Sequence, residues 1–114
     1  MVRIIVAGLI LALGGALSVP ASENKGAEQI NMDGGSRGMV PFPHHRHQNA
    51  LGDCMVCHTL FPQEQGGIAR LKREGVLVEK QVMNKHCIKC HRVKKREGAS
   101  TGPTTCAKCH IRDK

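Results

Sequence analysis

The chain has 114 residues, 17 Lys and Arg against 9 Asp and Glu, a formal net charge of +8, and two Phe as its only aromatic residues. This length leaves room for one domain, and the scarcity of aromatic side chains argues against a strong conventional core. A small domain of this kind needs crosslinks or a bound cofactor to stay folded. The basic balance ordinarily suggests nucleic acid or an anionic surface as a partner.

The N-terminus has the pattern of an export signal. Met1–Arg3 supplies a positive start, Ile4–Leu17 is an apolar stretch, and Val19–Ala21 is a small-residue cleavage site. We expect a signal peptide over residues 1–21 and a mature domain over 22–114. The apolar stretch is shorter than the roughly 20 residues of a membrane span, so we expect no permanent membrane anchor, with an uncleaved N-terminal anchor as the alternative. Because an exported chain meets no genome, nucleic acid is not an expected partner.

The first part of the mature domain predicts a short hairpin and a helix. We expect the polar segment 22–27 to be loose, and strands over Glu28–Met32 and Met39–Phe42 to flank a turn-rich hinge at Asp33–Gly38. A short helix is predicted over His44–Leu51.

The second part predicts helices and loops. Ile68–Glu74 is compatible with a helix, with two apolar side chains three positions apart. A further helix is predicted from about Val76 to Lys95, and Gly98–Pro103 is a loop. We therefore expect a mainly α domain with little regular secondary structure.

Three pentapeptides of the form Cys-x-x-Cys-His dominate the sequence. They span Cys54–His58 (CMVCH), Cys87–His91 (CIKCH) and Cys106–His110 (CAKCH). This pattern is the attachment signal for c-type haem, in which two thiols form thioethers and the adjacent histidine reaches the iron. The thioether residues are all of the cysteines in the chain: Cys54, Cys57, Cys87, Cys90, Cys106 and Cys109.

Zinc binding and disulfide bonding are the two alternatives for these cysteines. A zinc site accepts Cys-x-x-Cys spacing but does not need a histidine directly after each second cysteine. A disulfide framework leaves the histidines unexplained. The sequence therefore predicts three covalently attached haem c groups.

Three haems explain several other features of the chain. Their porphyrins would supply most of the buried apolar surface, so we expect a haem-dominated fold and a disordered apo chain. Their propionates would offset most of the positive charge. Covalent haem attachment occurs outside the bacterial cytoplasm, so the motifs and the export signal both predict a periplasmic location.

The histidines outside the motifs are candidates for the second axial position of each iron. His58, His91 and His110 are the proximal ligands, and four histidines remain for three open positions: His44, His45, His47 and His86. His44 and His47 lie three residues apart, so on a helix they share a face and can serve two haems. For the third haem the residues leave two candidates, Met83 and His86, of which histidine would keep the reduction potential low and methionine would raise it.

Residues 40–110 resemble the class III multihaem cytochromes c, in particular their three-haem periplasmic members. The resemblance is carried by Val-Pro-Phe-Pro-His-His-Arg-His-Gln at 40–48, by the three haem motifs, and by Gly-Pro-Thr-Thr before Cys106. It implies the fold of that family.

The same resemblance implies axial pairs. The family pattern Phe-x-His-x-x-His, here beginning at Phe42, implies that His44 pairs with His58 and His47 with His91. The family places the last distal histidine four residues before the second motif, where this chain has Met83. Some related three-haem domains use methionine there, which favours Met83 for the third haem, with His86 as the alternative.

These features predict a periplasmic carrier that passes single electrons through three six-coordinate haems in anaerobic respiration. We expect a monomer that is not an enzyme, with other redox proteins, cytochromes and oxidoreductases, as partners. The alternative is a haem enzyme that reduces a small oxidised substrate or a metal ion at one five-coordinate haem. The basic run Arg92–Arg96 is a candidate docking patch or simply a solvated face.

Overall fold

A computed structural model of the protein describes residues 23–78 and 80–112. The predicted signal peptide over 1–21 lies outside the described residues, so it stays a prediction. Among the helices that the structure describes, none is long and apolar enough to cross a membrane.

The described chain forms a two-stranded sheet and a series of short helices. The strands are β1 (Gln29–Met32) and β2 (Val40–Pro43), with a 3₁₀ turn at Gly35–Arg37 between them. The helices follow in chain order: α1 (His44–Leu51), α2 (Met55–His58), α3 (Gly67–Arg73), a π-helical turn (Val82–Cys87) that runs directly into α4 (Ile88–Arg96), and α5 (Cys106–Cys109).

The predicted hairpin is present, with each strand shifted by about one residue. β1 and β2 pair antiparallel, from Gln29 opposite Pro43 to Met32 opposite Val40. The Asp33 carboxylate accepts a hydrogen bond from the Gly35 amide at 2.8 Å, which is the local bond expected of an Asx turn. The hairpin therefore follows from local turn chemistry.

The expectation of a loose segment over 22–27 is wrong for residues 25–27, which bond to side chains of α1. The Gln48 side-chain amide donates to the Lys25 carbonyl at 2.8 Å and its oxygen accepts the Lys25 amide at 3.2 Å. The His45 amide donates to the Glu28 carbonyl at 3.1 Å. Because these bonds join residues about twenty positions apart, local composition does not predict them. They fix the segment along α1.

The helix predicted from Val76 begins later than expected. The amides of Val76 and Leu77 both donate to the Leu71 carbonyl, at 3.0 and 3.1 Å, and so they close the C-terminal end of α3 instead of starting a new helix. Gly75, with φ +73°, provides the left-handed residue that this closure needs. The next helical residues are the π-helical turn that leads into α4, which ends at Arg96 as predicted to within one residue.

The described residues supply almost no hydrophobic core of their own. Within the described residues Leu77 is the single buried hydrophobic side chain, at 3% exposure. Met55 and Val56, between the cysteines of the first motif, are 51% and 53% exposed. A domain of this size with so little buried apolar surface needs a bound group to supply it. This agrees with the prediction that porphyrins form the core.

Candidate haem-binding sites

Each Cys-x-x-Cys-His motif adopts a helical turn. The His58 amide donates to the Cys54 carbonyl at 3.0 Å, and the His110 amide donates to the Cys106 carbonyl at 2.9 Å. Residues three and four apart on a helix lie on the same face. The two thiols and the histidine of each motif therefore lie on one side of the turn, where one porphyrin can meet them all.

Burial raises the pKa of three of these thiols. Desolvation raises the pKa of the Cys57, Cys87 and Cys109 thiols above the ordinary value, with neighbouring thiols adding to the effect. Zinc binds the thiolate and needs about four ligands around one point. In the part of the chain that the structure describes, no three His, Cys, Asp or Glu side chains converge in this way.

The first distal candidate lies opposite the first motif. The imidazole rings of His44 and His58 have centroids 6.2 Å apart and planes at 85° to each other. His44 is the first residue of α1 and His58 is the last residue of α2. The structure therefore brings together the two histidines that the resemblance pairs.

The second distal candidate lies opposite the second motif. The rings of His47 and His91 have centroids 6.1 Å apart and planes at 25°. The Phe42 ring packs on the His47 ring at 4.2 Å between centroids. Burial lowers the pKa of the His47 imidazole, the hydrogen bond to the Pro43 carbonyl opposes this, and the neighbouring His91, His44 and Arg46 side chains lower it further. A lowered pKa favours the neutral imidazole, which is the form that binds metal ions.

Both spacings fit an iron atom between the rings. A bond between a metal ion and an imidazole nitrogen is about 2 Å long, and a ring centroid lies about 1 Å beyond that nitrogen, so two imidazoles on opposite sides of one ion have centroids about 6 Å apart. The observed distances are 6.2 and 6.1 Å. The residues present therefore fit two haems with a histidine on each face.

The same kind of hydrogen bond orients five of the imidazole rings. In five histidines the Nδ1 atom bonds to a backbone carbonyl oxygen and leaves Nε2 free, the arrangement typical of metal-binding histidines. The carbonyls belong to Ala27 for His44 (3.0 Å), Pro43 for His47 (2.9 Å), Phe61 for His58 (2.7 Å), Pro103 for His91 (2.7 Å) and Gly38 for His110 (3.1 Å).

The two remaining histidines differ from these five. His45 uses Nε2, not Nδ1, to bond the Gly26 carbonyl at 2.9 Å, so the usual ligating nitrogen is occupied. His86 makes no hydrogen bond among the described residues, and its ring packs edge-on against Phe61 at 5.4 Å between centroids. Within the same residues it forms no ring pair with His110. The structure thus does not bring His86 and the third proximal histidine together as it does the first two pairs.

Met83 lies in the π-helical turn, one turn before Cys87, and is partly buried. Its carbonyl accepts a hydrogen bond from the Ile88 amide, which joins this turn to α4. Single π-helical turns occur frequently at functional sites. Met83 and His86 both belong to this turn, so the structure leaves both beside the second motif.

The third motif is held against the hairpin. The Ile111 amide donates to the Met39 carbonyl at 2.7 Å, and His110 bonds to Gly38. Gly38, with φ +93°, has no side chain to prevent this approach, since a Cβ there would collide with the Ile111 carbonyl. These contacts place the C-terminal haem motif beside residues more than seventy positions earlier in the chain.

The fold and the site define a multihaem c-type cytochrome. The family model "Cytochrome c7 and related cytochrome c" matches residues 40–111. The chain belongs to this family, whose members are electron-transfer proteins, and it carries three covalently attached haem c groups.

Individual relatives agree with this assignment. A cytochrome c7 of Geobacter metallireducens is 34% identical over 73 residues, which cover 64% of each chain, so the match spans just under two thirds of the length of this relative. PpcC, a cytochrome c7 from Geobacter sulfurreducens, is 30% identical with a TM-score of 0.53, and the match covers 76% of this chain and 100% of that one. The triheme cytochrome PpcA from the same organism is 31% identical with a TM-score of 0.54, over 75% of this chain and 100% of that one. The predicted fold, a small mainly α class III multihaem cytochrome c with a short hairpin, is confirmed.

Sequence reasoning missed the backbone part of the site. The carbonyls that hold the imidazoles come from loops and strand ends, and three glycines (Gly26, Gly34 and Gly102) lie against His44, His110 and His91 respectively. From the sequence, the Gly-Pro at 102–103 is expected in a loop and belongs to the family resemblance, but no contact with an imidazole is expected of it. Its position shortly before the third motif was the available signal.

Proposed function

We propose that this chain is a periplasmic electron carrier, exported with its signal peptide removed, which passes single electrons between redox proteins of anaerobic respiration. When bound, each haem supplies a one-electron couple at its iron. The chain attaches the haems through the six motif cysteines, supplies axial ligands, and sets the potentials through ligand identity, exposure and nearby charge.

The observation that supports a carrier is the pairing of imidazoles. An iron with protein ligands on both faces has no position for a substrate, whereas an open face permits small-molecule chemistry. His44 with His58, and His47 with His91, fit two closed irons by their spacing. We therefore propose these four residues as the axial ligands of the first two haems.

An optical experiment tests this proposal. The purified holoprotein should have low-spin spectra in both oxidation states, and carbon monoxide or cyanide should leave those spectra unchanged. Binding of about one carbon monoxide per protein would instead favour the alternative, a reductase with one five-coordinate haem.

For the third haem we propose His110 and Met83 as axial ligands. The five oriented imidazoles each use a backbone carbonyl to fix the ring, and His86 has no such bond within the described residues. The Phe61 ring also occupies one side of His86. Met83 needs no orienting hydrogen bond because a thioether carries no N–H to place. These differences favour Met83 over His86.

Two single variants separate these ligands. Met83→Ala should abolish the weak absorption band near the red end of the visible spectrum that marks methionine ligation, and should let one haem bind carbon monoxide. His86→Ala serves as the matched control and should change neither property. The reverse outcome would assign His86, and an unaltered response to carbon monoxide in both variants would contradict both assignments.

We further propose that partners dock at a basic face of α4. Four exposed cations line one shallow depression together with Asn84 and Thr104: Lys89, Arg92, Lys95 and Arg96. None of the four forms an ion pair with an acid among the described residues, whereas Lys94 on the same helix bonds Glu97 at 3.4 Å. The motif residues Cys90 and His91 belong to this helix, so the face borders the second haem. Unpaired like charges beside a redox centre favour a partner with an acidic surface.

Salt-dependent kinetics test this docking face. The double variant Arg92→Gln with Arg96→Gln should slow reduction by an acidic partner about three- to ten-fold at low ionic strength, and the difference should vanish at high salt. The matched control is Arg37→Gln with Arg73→Gln, which removes the same charge from two exposed positions on other elements. Equal slowing by both double variants would show a net-charge effect and refute a specific face.

A further inference from the structure

Gly102 lies against the His91 imidazole, and its backbone conformation does not explain why this residue is a glycine. It does not have a positive φ, so the turn itself does not require glycine. A Cβ at this position would lie 2.6 Å from Cε1 of His91 and 3.1 Å from both of its ring nitrogens. The first distance is shorter than side-chain carbons tolerate. The absence of a side chain therefore lets the loop touch the ring directly.

The next residue in the loop holds the same ring from another atom. The Pro103 carbonyl accepts a hydrogen bond from Nδ1 of His91 at 2.7 Å. A hydrogen bond at one corner of the ring and a packing contact at the neighbouring Cε1 corner together restrict rotation about the bond that joins the imidazole to its Cβ. The loop thus determines the orientation of the His91 ring.

That orientation differs between the two imidazole pairs. The planes of His47 and His91 are at 25°, close to parallel, whereas those of His44 and His58 are at 85°, close to perpendicular. Parallel imidazoles interact with the same iron d orbital and separate the energies of the two orbitals of π symmetry. Perpendicular imidazoles interact with one orbital each and leave the two nearly equal. The electronic structures of two bis-histidine ferric irons with these angles must differ.

We propose that Gly102 is a positioning residue that, with the Pro103 carbonyl, holds His91 nearly parallel to His47 and so makes the second haem a rhombic low-spin centre distinct from the first. This inference rests on the proposed ligation of the first two haems. It assigns to a loop outside all three attachment motifs the orientation of one axial ligand.

Electron paramagnetic resonance of the ferric holoprotein tests the inference. The protein should have a rhombic low-spin signal from the haem of His47 and His91, and a highly anisotropic low-spin signal from the haem of His44 and His58. His47→Ala should remove the rhombic signal and His44→Ala the highly anisotropic one. These assignments need no loop variant, and the opposite assignment would overturn the proposal.

The loop variant tests the role of the glycine itself. Gly102→Ala should shift the rhombic signal and leave the highly anisotropic signal in place, because the new methyl group displaces either the ring or the carbonyl that bonds it. The matched control is Gly98→Ala in the same loop, where the added Cβ meets no atom within 4 Å but the φ of +76° strains the backbone. It should lower stability and leave both signals unchanged.

Failure of the proposed axial ligation and failure of the positioning role of Gly102 give different results. A high-spin signal in the unaltered protein would contradict the proposed axial ligands. Low-spin signals that are the same in the unaltered protein and in Gly102→Ala would leave the ligands intact and overturn the positioning role. An equal shift in Gly98→Ala and Gly102→Ala would also overturn it, since that result reports loop strain alone.

Discussion

Three nearby histidines in α1 differ in the ring nitrogen that they use for hydrogen bonding. His44 and His47 orient their rings through Nδ1 and face the proximal rings of His58 and His91. His45 lies between them in sequence but bonds the Gly26 carbonyl through Nε2 at 2.9 Å. Alanine at each position therefore makes the same chemical change on the same helix with different expected results.

The magnitude follows from the number of irons affected. His44→Ala and His47→Ala each remove one imidazole from one of the three haems, so each variant should bind about one carbon monoxide per protein in the reduced state and convert about a third of the haem absorbance to a high-spin form. His45→Ala should bind none. It should only lose a hydrogen bond, at a cost of about 0.5–1.5 kcal/mol in the free energy of unfolding.

The assay is a carbon monoxide titration followed in the visible spectrum, with protein concentration fixed by haem content. Binding in His45→Ala comparable with that in His47→Ala would show that the nitrogen used for hydrogen bonding does not separate ligands from non-ligands. Absence of binding in both His44→Ala and His47→Ala would refute the two imidazole pairs.

Three further predictions concern stability. Leu77→Ala should lower the free energy of unfolding of the holoprotein by about 2–4 kcal/mol. The control Val78→Ala, at a site 67% exposed, should change it by less than about 0.5 kcal/mol. Equal losses of stability in denaturant titrations of the two variants would argue against Leu77 as a buried contact. Gln48→Ala removes both bonds to the Lys25 backbone and should lower the free energy of unfolding by about 1–2 kcal/mol. Amide exchange in the segment before β1 should become faster, and unchanged exchange would show that these bonds do not hold the segment. Replacement of all six cysteines with alanine should give an apo chain without a cooperative thermal transition in circular dichroism, and a cooperative one would show that the protein folds without porphyrin.

The local sequence pattern predicts the helices and strands that are determined by residues close to them in the chain. α1 begins and ends as expected, and the turn residues around Asp33 define the hairpin to within a residue. The helix expected from Val76 fails because the amides of Val76 and Leu77 are used to close α3. Apolar spacing alone does not reveal that competition for the Leu71 carbonyl.

The site likewise contains residues that the sequence predicts and contacts that depend on the fold. The motif spacing predicts the thiols and proximal histidines, and the family resemblance supplies the pairs that the imidazole distances now support. The orienting contacts are not local: His110 bonds to Gly38 across 72 positions, and His91 bonds to Pro103 across 12. Such contacts depend on the fold around the haems. For that reason the role of Gly102 and the difference between His86 and the other histidines emerge only from the structure.

The covalent attachment of three haems is tested most directly by the intact mass of the mature protein combined with its pyridine haemochrome spectrum. We expect a chain that begins at Ser22, with a mass increased by three haems and a haemochrome of the c type in the ratio of three haems per chain. A colourless protein with the bare polypeptide mass, or one that carries zinc on the same cysteines, would contradict this expectation.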